Sequence, residues 1–213
     1  MENVKIYLHN YLLMMIITDL QYFGTLSFFN TILKQEKVYF DNNHPFSKMS
    51  FKNRMVIATA QGPLHLSIPI VGGRDQKTAL KDIQIAYASP WHEQHYKALV
   101  SNYQRSPFFE YYQDELKNLY ASKPIFLMDF LMSAHEWTKK QIKGKWDIVA
   151  KIDTEIIERN FDPWLPKNYD QFPKPIKYQQ VFEDKTRFLP NLSILDLLFN
   201  CGGKQTNQLL MSF

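Results

Sequence analysis

The sequence predicts a mixed α/β fold, and three stretches carry that prediction. A continuously apolar run, Leu12 to Ile17, leads into a helical period at Leu26, Phe29 and Leu33, and then into a short strand-like segment from Lys37 to Asp41. Two further runs, Arg54 to Thr59 and Leu64 to Ile70, flank Gln61-Gly62-Pro63 as the arms of a hairpin. Amphipathic segments between residues 89 and 140 then form a helical block. The expected class is α/β: a mixed sheet with an N-terminal strand-helix-strand unit, a β-hairpin and a central helical block.

Each element has a local cause. The first run has no polar alternation, as a strand covered on both faces requires. Thr25 is placed to cap the helix after it, and a helical crossover makes the two flanking strands parallel if they pair. In the hairpin Leu64, Leu66, Ile68 and Ile70 share one face, while Pro69, lacking an amide hydrogen, marks an edge or an end. Gly72-Gly73-Arg74-Asp75 reads as a loop and Ile83 with Ile85 as a short strand. Ser89-Pro90 and Ser106-Pro107 each set a cap before a proline suited to a first helical turn. Tyr96, Leu99, Val100 and Tyr103 then share a face, as do Phe109, Tyr112, Leu116 and Leu119. A third helix, from about Pro124 to Lys140, buries Leu127, Phe130, Leu131, Ala134 and Trp137. Prolines at 163, 166, 173 and 175 interrupt the pattern from Gly144 to Lys177, where Ile148 to Ile152 reads as a strand. Ser193-Ile194-Leu195-Asp196 resembles a capping box that opens a short apolar helix, ended by Gly202-Gly203.

The 213 residues are expected to form one domain over 1–213, with residues 1–11 as an N-terminal extension. Hydrophobic residues at 45%, with 16 Phe, 12 Tyr and 4 Trp, supply a large core and exclude disorder as a description of the whole. A net charge of +4, from 25 basic and 21 acidic side chains spread along the chain, gives no basic stripe, so nucleic acid is not the expected partner. Lys139, Lys140, Lys143 and Lys145, beside Trp137 and Trp146, read better as a solvated helix end than as a base-stacking platform. One cysteine, Cys201, excludes an intrachain disulfide and fits a reducing, cytoplasmic setting. No apolar run has the length of a membrane span.

Dinucleotide, P-loop, serine-hydrolase and zinc-protease motifs are absent. Ligands of open α/β sheets bind beyond the carboxyl ends of parallel strands, so the loops after the first two strands are the place to look. The first carries Asp19, Gln21 and Tyr22. The second carries Asp41, Asn42, Asn43, His44 and Lys48 and runs on through Ser50, Lys52, Asn53 and Arg54. Arg54 suits a bidentate contact to a phosphate or carboxylate, Lys48 adds a point charge, and His44 or Asp19 can move a proton. The competing reading makes Asp41 to Asn43 turn formers and leaves Lys48 and Arg54 solvated. His92 and His95 lie three apart on a helix without a third ligand nearby, so no metal site is expected. Cys201 follows a helix carboxyl end, which opposes thiolate formation and makes it a packed thiol. His65 and Ser67 alternate with core residues and have no assignable acid partner.

Several strings resemble the WbqC-like family of bacterial proteins. They are Tyr22-Phe23; Lys48 with Ser50 and Asn53-Arg54; Leu66-Ser67-Ile68-Pro69; Ser89-Pro90-Trp91; and the segment from Ser106 to Tyr112. The segment Tyr178 to Phe182, with Phe188 and the run Pro190 to Asn200, resembles the family's C-terminal signature. The likeness covers most of 15–203, departing at Gly24-Thr25, where prolines usually follow Tyr-Phe, and over 141–170. It implies a transferase, of aminoacyl or acyl groups to a sugar, in O-antigen or surface-polysaccharide biosynthesis; a noncatalytic binding or scaffold protein of such an assembly system is the alternative. The implied partner is a small anionic substrate, a nucleotide sugar or an activated acyl donor. No cofactor or oligomeric state follows. Tyr178, Gln180 and Asn191 would join the substrate site if the C-terminal signature packs beside the loop from Asp41 to Arg54.

Overall fold

The computed structural model describes residues 15–47, 49–73, 76–150, 165–171 and 175–212. The expected extension over 1–11, the start of the first apolar run, Lys48, Arg74-Asp75 and the far end of the strand expected at Ile148 to Ile152 lie outside these residues.

Strand β1 (Met15–Thr18) is buried along its whole length, which explains its unbroken apolar character. Thr25 caps α1 (Leu26–Ile32) as expected, its side chain accepting from the Phe28 amide, and the chain returns as β2 (Lys37–Phe40) parallel to β1. A two-residue strand, β5 (Asp147–Ile148), adds to the other side of β2, also in parallel, giving the order β1-β2-β5. The hairpin of β3 (Arg54–Thr59) and β4 (Gly62–Ser67) pairs antiparallel as a separate sheet. Parallel and antiparallel parts of the α/β fold are thus two sheets among the described residues. Among the described residues β3 has no third strand on its outer edge. Its Val56 carbonyl accepts from the Ser193 amide (2.8 Å) and its Ala58 amide donates to the Tyr103 hydroxyl (2.9 Å).

The helical block follows as α2 (Trp91–Tyr103), α3 (Phe109–Ala121) and α4 (Leu127–Gln141); the expected face of α4 is buried in full, and those of α2 and α3 are buried at Leu99, Tyr103, Phe109, Tyr112 and Leu116, with Tyr96, Val100 and Leu119 half-buried. The Ser-Pro caps do not form. Pro90 and Phe108 occupy the cap positions without a side-chain hydrogen bond, so the prolines end the preceding loops rather than open the helices. The strand expected at Ile83 and Ile85 is replaced by a 3-10 turn (Leu80–Asp82) and isolated bridges, Ile70 to Ile85 and Gln84 to Phe126, because each neighbour contributes one residue. In the hairpin only Ile68 and Ile70 of the four expected face-sharing residues are buried, since β4 stops before Pro69 and Leu64 projects from the exposed end.

After a short helix α5 (Glu183–Thr186), the last helix, α6 (Ile194–Met211), does not end at Gly202-Gly203. Gly202, at φ 72° and ψ 164°, breaks it, and a second helical stretch resumes at once. Gly203 is required by proximity: a Cβ there would meet the Gln141 carbonyl oxygen at 2.0 Å. One continuous core of aromatic and branched side chains joins β1, α1, the helical block and α6.

Candidate functional site

The parallel sheet delivers two acids to one edge. Asp19 follows β1 directly, and Asp41 follows β2, with the Asp41 amide bonded to the Thr18 carbonyl at 3.0 Å. Asp41 Oδ1 accepts from the amides of Asn43 (3.2 Å) and His44 (3.1 Å), which turns the chain and sets His44 over the edge. The turn-forming reading of Asp41 therefore holds.

A residue that no local motif marks bridges the two loops. Lys52 is 1% exposed, and its ammonium lies 3.2 Å from Asp19 Oδ2, 3.3 Å from His44 Nδ1 and 3.2 Å from the Pro45 carbonyl oxygen. An ammonium has three hydrogens to donate and can accept nothing, so the three partners match its capacity. It follows that His44 Nδ1 accepts and that the imidazole hydrogen sits on Nε2, turned away from Lys52. Asp19 keeps 22% of its side chain exposed, yet its Oδ1 is enclosed and has no hydrogen-bond partner among the described residues. Burial raises the Asp19 carboxyl above the usual carboxylate range, against the pull of the Lys52 charge and hydrogen bond, and the nearby Asp41 adds to the rise. A cation held by a partly desolvated acid and an imidazole can steady a nearby negative charge, and the acid can take up or give a proton.

Of the residues singled out from the sequence, Asp19 and His44 meet here. Asn42 is half-buried on the same loop, its carbonyl accepting from the Lys81 amide at 3.1 Å. Arg54 stands at the start of β3, its Nε donating to Ser67 Oγ (2.8 Å) and one Nη facing Met49 Sδ (3.8 Å). Lys48 lies outside the described residues. The others turn inward. Gln21 is buried and accepts the Thr25 amide through Oε1 (3.2 Å). Asn53 donates to the Ile68 carbonyl (2.8 Å), tying the two arms of the hairpin. The Tyr22 hydroxyl, wholly enclosed, meets His95 Nδ1 (2.9 Å) and the Tyr120 hydroxyl (2.5 Å). Desolvation lowers His95 to about 4, so its ring stays neutral between these groups.

The C-terminal signature forms a second polar centre, around Asp196, whose exposure is 0%. Tyr103 donates to its Oδ2 (2.6 Å), Tyr178 to its Oδ1 (2.7 Å), and Asn200 Nδ2 lies 3.3 Å from Oδ1. Burial pushes the carboxyl up to about 6 while the two phenols and the amide pull the other way. Gln180 bonds the Tyr178 hydroxyl (3.1 Å) and both backbone groups of Leu189 (2.8 Å each). Asn191 donates to the Tyr169 carbonyl (3.0 Å) and accepts the Ser27 amide (2.8 Å). These side chains stitch the C-terminal segment to β3 and to the start of α1, where Ser193 Oγ also bonds the Phe23 carbonyl (2.7 Å).

His92 and His95 are both buried on α2, and Cys201 is buried with its thiol pushed up to about 11 by desolvation first and by Asp196 second. The packed-thiol reading agrees with that shift. Among the described residues no group of three metal-ligating side chains converges, and no helix is long and apolar enough to cross a membrane.

A small parallel sheet with a buried lysine, acid and imidazole at its carboxyl edge, joined to a hairpin and a helical block, defines a mixed α/β protein with a polar site at the strand ends. The model of the WbqC-like protein family matches residues 21–165 and 166–208, and the chain belongs to that family. Residues 141–170, where the resemblance looked weakest, fall within the matched segments and contain their junction. No curated protein and no solved structure matches the chain.

Proposed function

We propose that this protein is a transferase of surface-polysaccharide assembly, moving an acyl or aminoacyl group, or a sugar, from an activated anionic donor. The observation that carries the reading is the enclosed Lys52 ammonium at the carboxyl edge of β1 and β2, held by Asp19 and His44. A lysine is kept out of water only when its charge is matched, and one so matched beside a half-open acid offers a fixed positive field where a donor's charge develops. His44, whose Nδ1 is taken up by Lys52, donates a hydrogen bond from Nε2 to the donor's reacting oxygen, and Asp19 takes the proton of the acceptor hydroxyl or amine as the donor's anionic leaving group departs. Arg54, at the start of β3, offers a second positive group for the donor's anionic end, and Lys48 is a further basic residue of the same stretch of sequence. Membership of the WbqC-like family supports the surface-polysaccharide setting, and the cytoplasm is where activated donors are made.

The test is a thermal-shift panel of nucleotide sugars, coenzyme A esters, nucleotides and free amino acids on the wild type and on Lys52→Met and His44→Ala. A true donor at 100 times its dissociation constant stabilises by about 2.7 kcal/mol. The expected outcome is a response that disappears in Lys52→Met and persists in His44→Ala, where transfer alone is lost. A panel without any response, or a response indifferent to Lys52, removes the reading.

A further inference from the structure

The helical block holds a cavity of about 410 Å³ between the start of α2 and the end of α3. His92, Glu93, Tyr96 and Lys97 line it from α2; Lys117 lines it from α3 and Lys123 from the turn beyond. Three ammonium groups thus face one carboxylate, and that carboxylate, Glu93, already has Lys97 at 3.7 Å one turn along the helix. The two remaining lysines leave the cavity positive. Helix ends do not alter that balance. The amino end of α2, uncapped by any side chain, adds partial positive charge, and the carboxyl end of α3 offsets it. The walls supply a second kind of contact. Tyr96 is a half-buried aromatic surface, and His92 is 8% exposed with an Nδ1 that has no partner among the described residues. An enclosed polar atom on a cavity wall is where a ligand or an ordered water completes the hydrogen bonding. Lys123 itself is held at φ 45°, a left-handed conformation that a lysine adopts only against a steric cost and that here turns the chain at the cavity mouth.

We infer that this cavity binds a small organic phosphate, its phosphate between Lys117 and Lys123 and its ring against Tyr96. The volume lies within the range of sites for small ligands. Lysines bind phosphate as point charges and place few demands on its orientation, whereas an aromatic wall selects for a ring. The site is separate from the strand-end cluster: none of Asp19, His44 and Lys52 lines it.

Calorimetric titration with uridine diphosphate and with inorganic pyrophosphate tests the inference. Both probes should bind the wild type, more weakly as salt is raised. Lys117→Ala with Lys123→Ala should weaken both by at least about tenfold, the equivalent of one charge-assisted contact. Tyr96→Leu should weaken uridine diphosphate and leave pyrophosphate unchanged. Lys52→Met should bind both as the wild type does. Absence of binding at millimolar probe, indifference to the lysine pair, or loss of binding in Lys52→Met would each overturn it, the last by moving the phosphate to the strand edge. All these side chains except Lys52 are at the rim or wall of the cavity, and circular dichroism of each variant checks that the fold is intact.

Discussion

Two acids of this chain, one buried and one partly exposed, have opposite surroundings. Asp196 is enclosed on all sides, and every donor that reaches it belongs to the fold: the hydroxyls of Tyr103 and Tyr178 and the amide of Asn200. Asp19 pairs with Lys52, keeps part of its side chain in water, and leaves one oxygen without a partner among the described residues. The first arrangement is complete and gains nothing from a ligand. The second is unfinished, and the unfinished one lies where parallel strands end. Polar residues in an apolar segment are therefore not of one kind: those of the C-terminal signature are bonded into the fold, whereas Asp19, after β1, keeps an oxygen without a partner among the described residues.

The largest expected effect tests the closed half of that contrast. Asp196→Asn replaces an acceptor of two phenolic hydrogens with a group that must itself donate, so at least one short bond is lost in an enclosed site. The variant should be less stable by about 3 kcal/mol in urea unfolding, the scale of a hydrogen bond to a charged group. A change of less than about 0.5 kcal/mol, the range of ordinary surface substitutions, would mean that the network is dispensable and the contrast false.

The pH profile sharpens the same comparison. Burial raises Asp196 to about 6, so the fold holds that proton more tightly than the unfolded chain does, and this group costs stability as pH rises from about 4 through 6. His95 at about 4 and His135 at about 3 run the other way, because burial disfavours their charged forms; their contribution is present above 6.5 and is lost as pH falls. His135 stacks on Phe29 and accepts from Trp146 Nε1 (3.2 Å). His135→Phe keeps the stacking, leaves the indole unpaired at about 1 kcal/mol, and should flatten the loss of stability between pH 6.5 and 3. Asp196→Asn should steepen the profile between 4 and 6, since the opposing group is gone. Parallel profiles for these variants and the wild type would show that neither site titrates with folding.

The same contrast explains what the sequence made legible. Periodicity exposes an element whose one face is buried, so α1, the hairpin, the faces of α2 to α4 and the parallel pairing of β1 with β2 could be read directly. The strand-end rule pointed to the loops that carry Asp19 and His44, and both side chains meet Lys52. Periodicity is blind to a polar side chain that is enclosed by long-range partners. Lys52 owes its burial to Asp19, 33 positions earlier, and Asp196 to Tyr103, 93 positions earlier. Nothing local marks either one. The loop between Pro69 and Trp91 was misread as containing a strand for a related reason. Ile83 is an apolar residue pinned by a 3-10 turn, and Ile85 by a single bridge, with no ladder in either case. The break in α6 was legible at Gly202-Gly203, but its resumption depends on packing against the carbonyl of Gln141, which no rule of helix termination contains.

The smallest structural effect belongs to Arg54, and it gives the finest test of the open half. Its Nε bond to Ser67 joins β3 to β4 across the hairpin, beside the Asn53 bond to Ile68 that does the same from a buried position. Arg54 is half-buried, so Arg54→Ala should shift stability by no more than about 0.5 kcal/mol, with Asn53 still tying the arms. If a donor's anionic group is held by the chain between the second strand and the hairpin, the same substitution should raise that donor's dissociation constant by about tenfold or more, because a guanidinium offers two parallel hydrogen bonds that no neighbouring residue can replace. Binding measured on Arg54→Ala and Arg54→Lys separates charge from geometry. Recovery in the lysine variant would assign Arg54 a general electrostatic role, loss in both a bidentate one, and undiminished binding in the alanine variant would confine the anion to Lys52 and leave Arg54 as a strut of the hairpin.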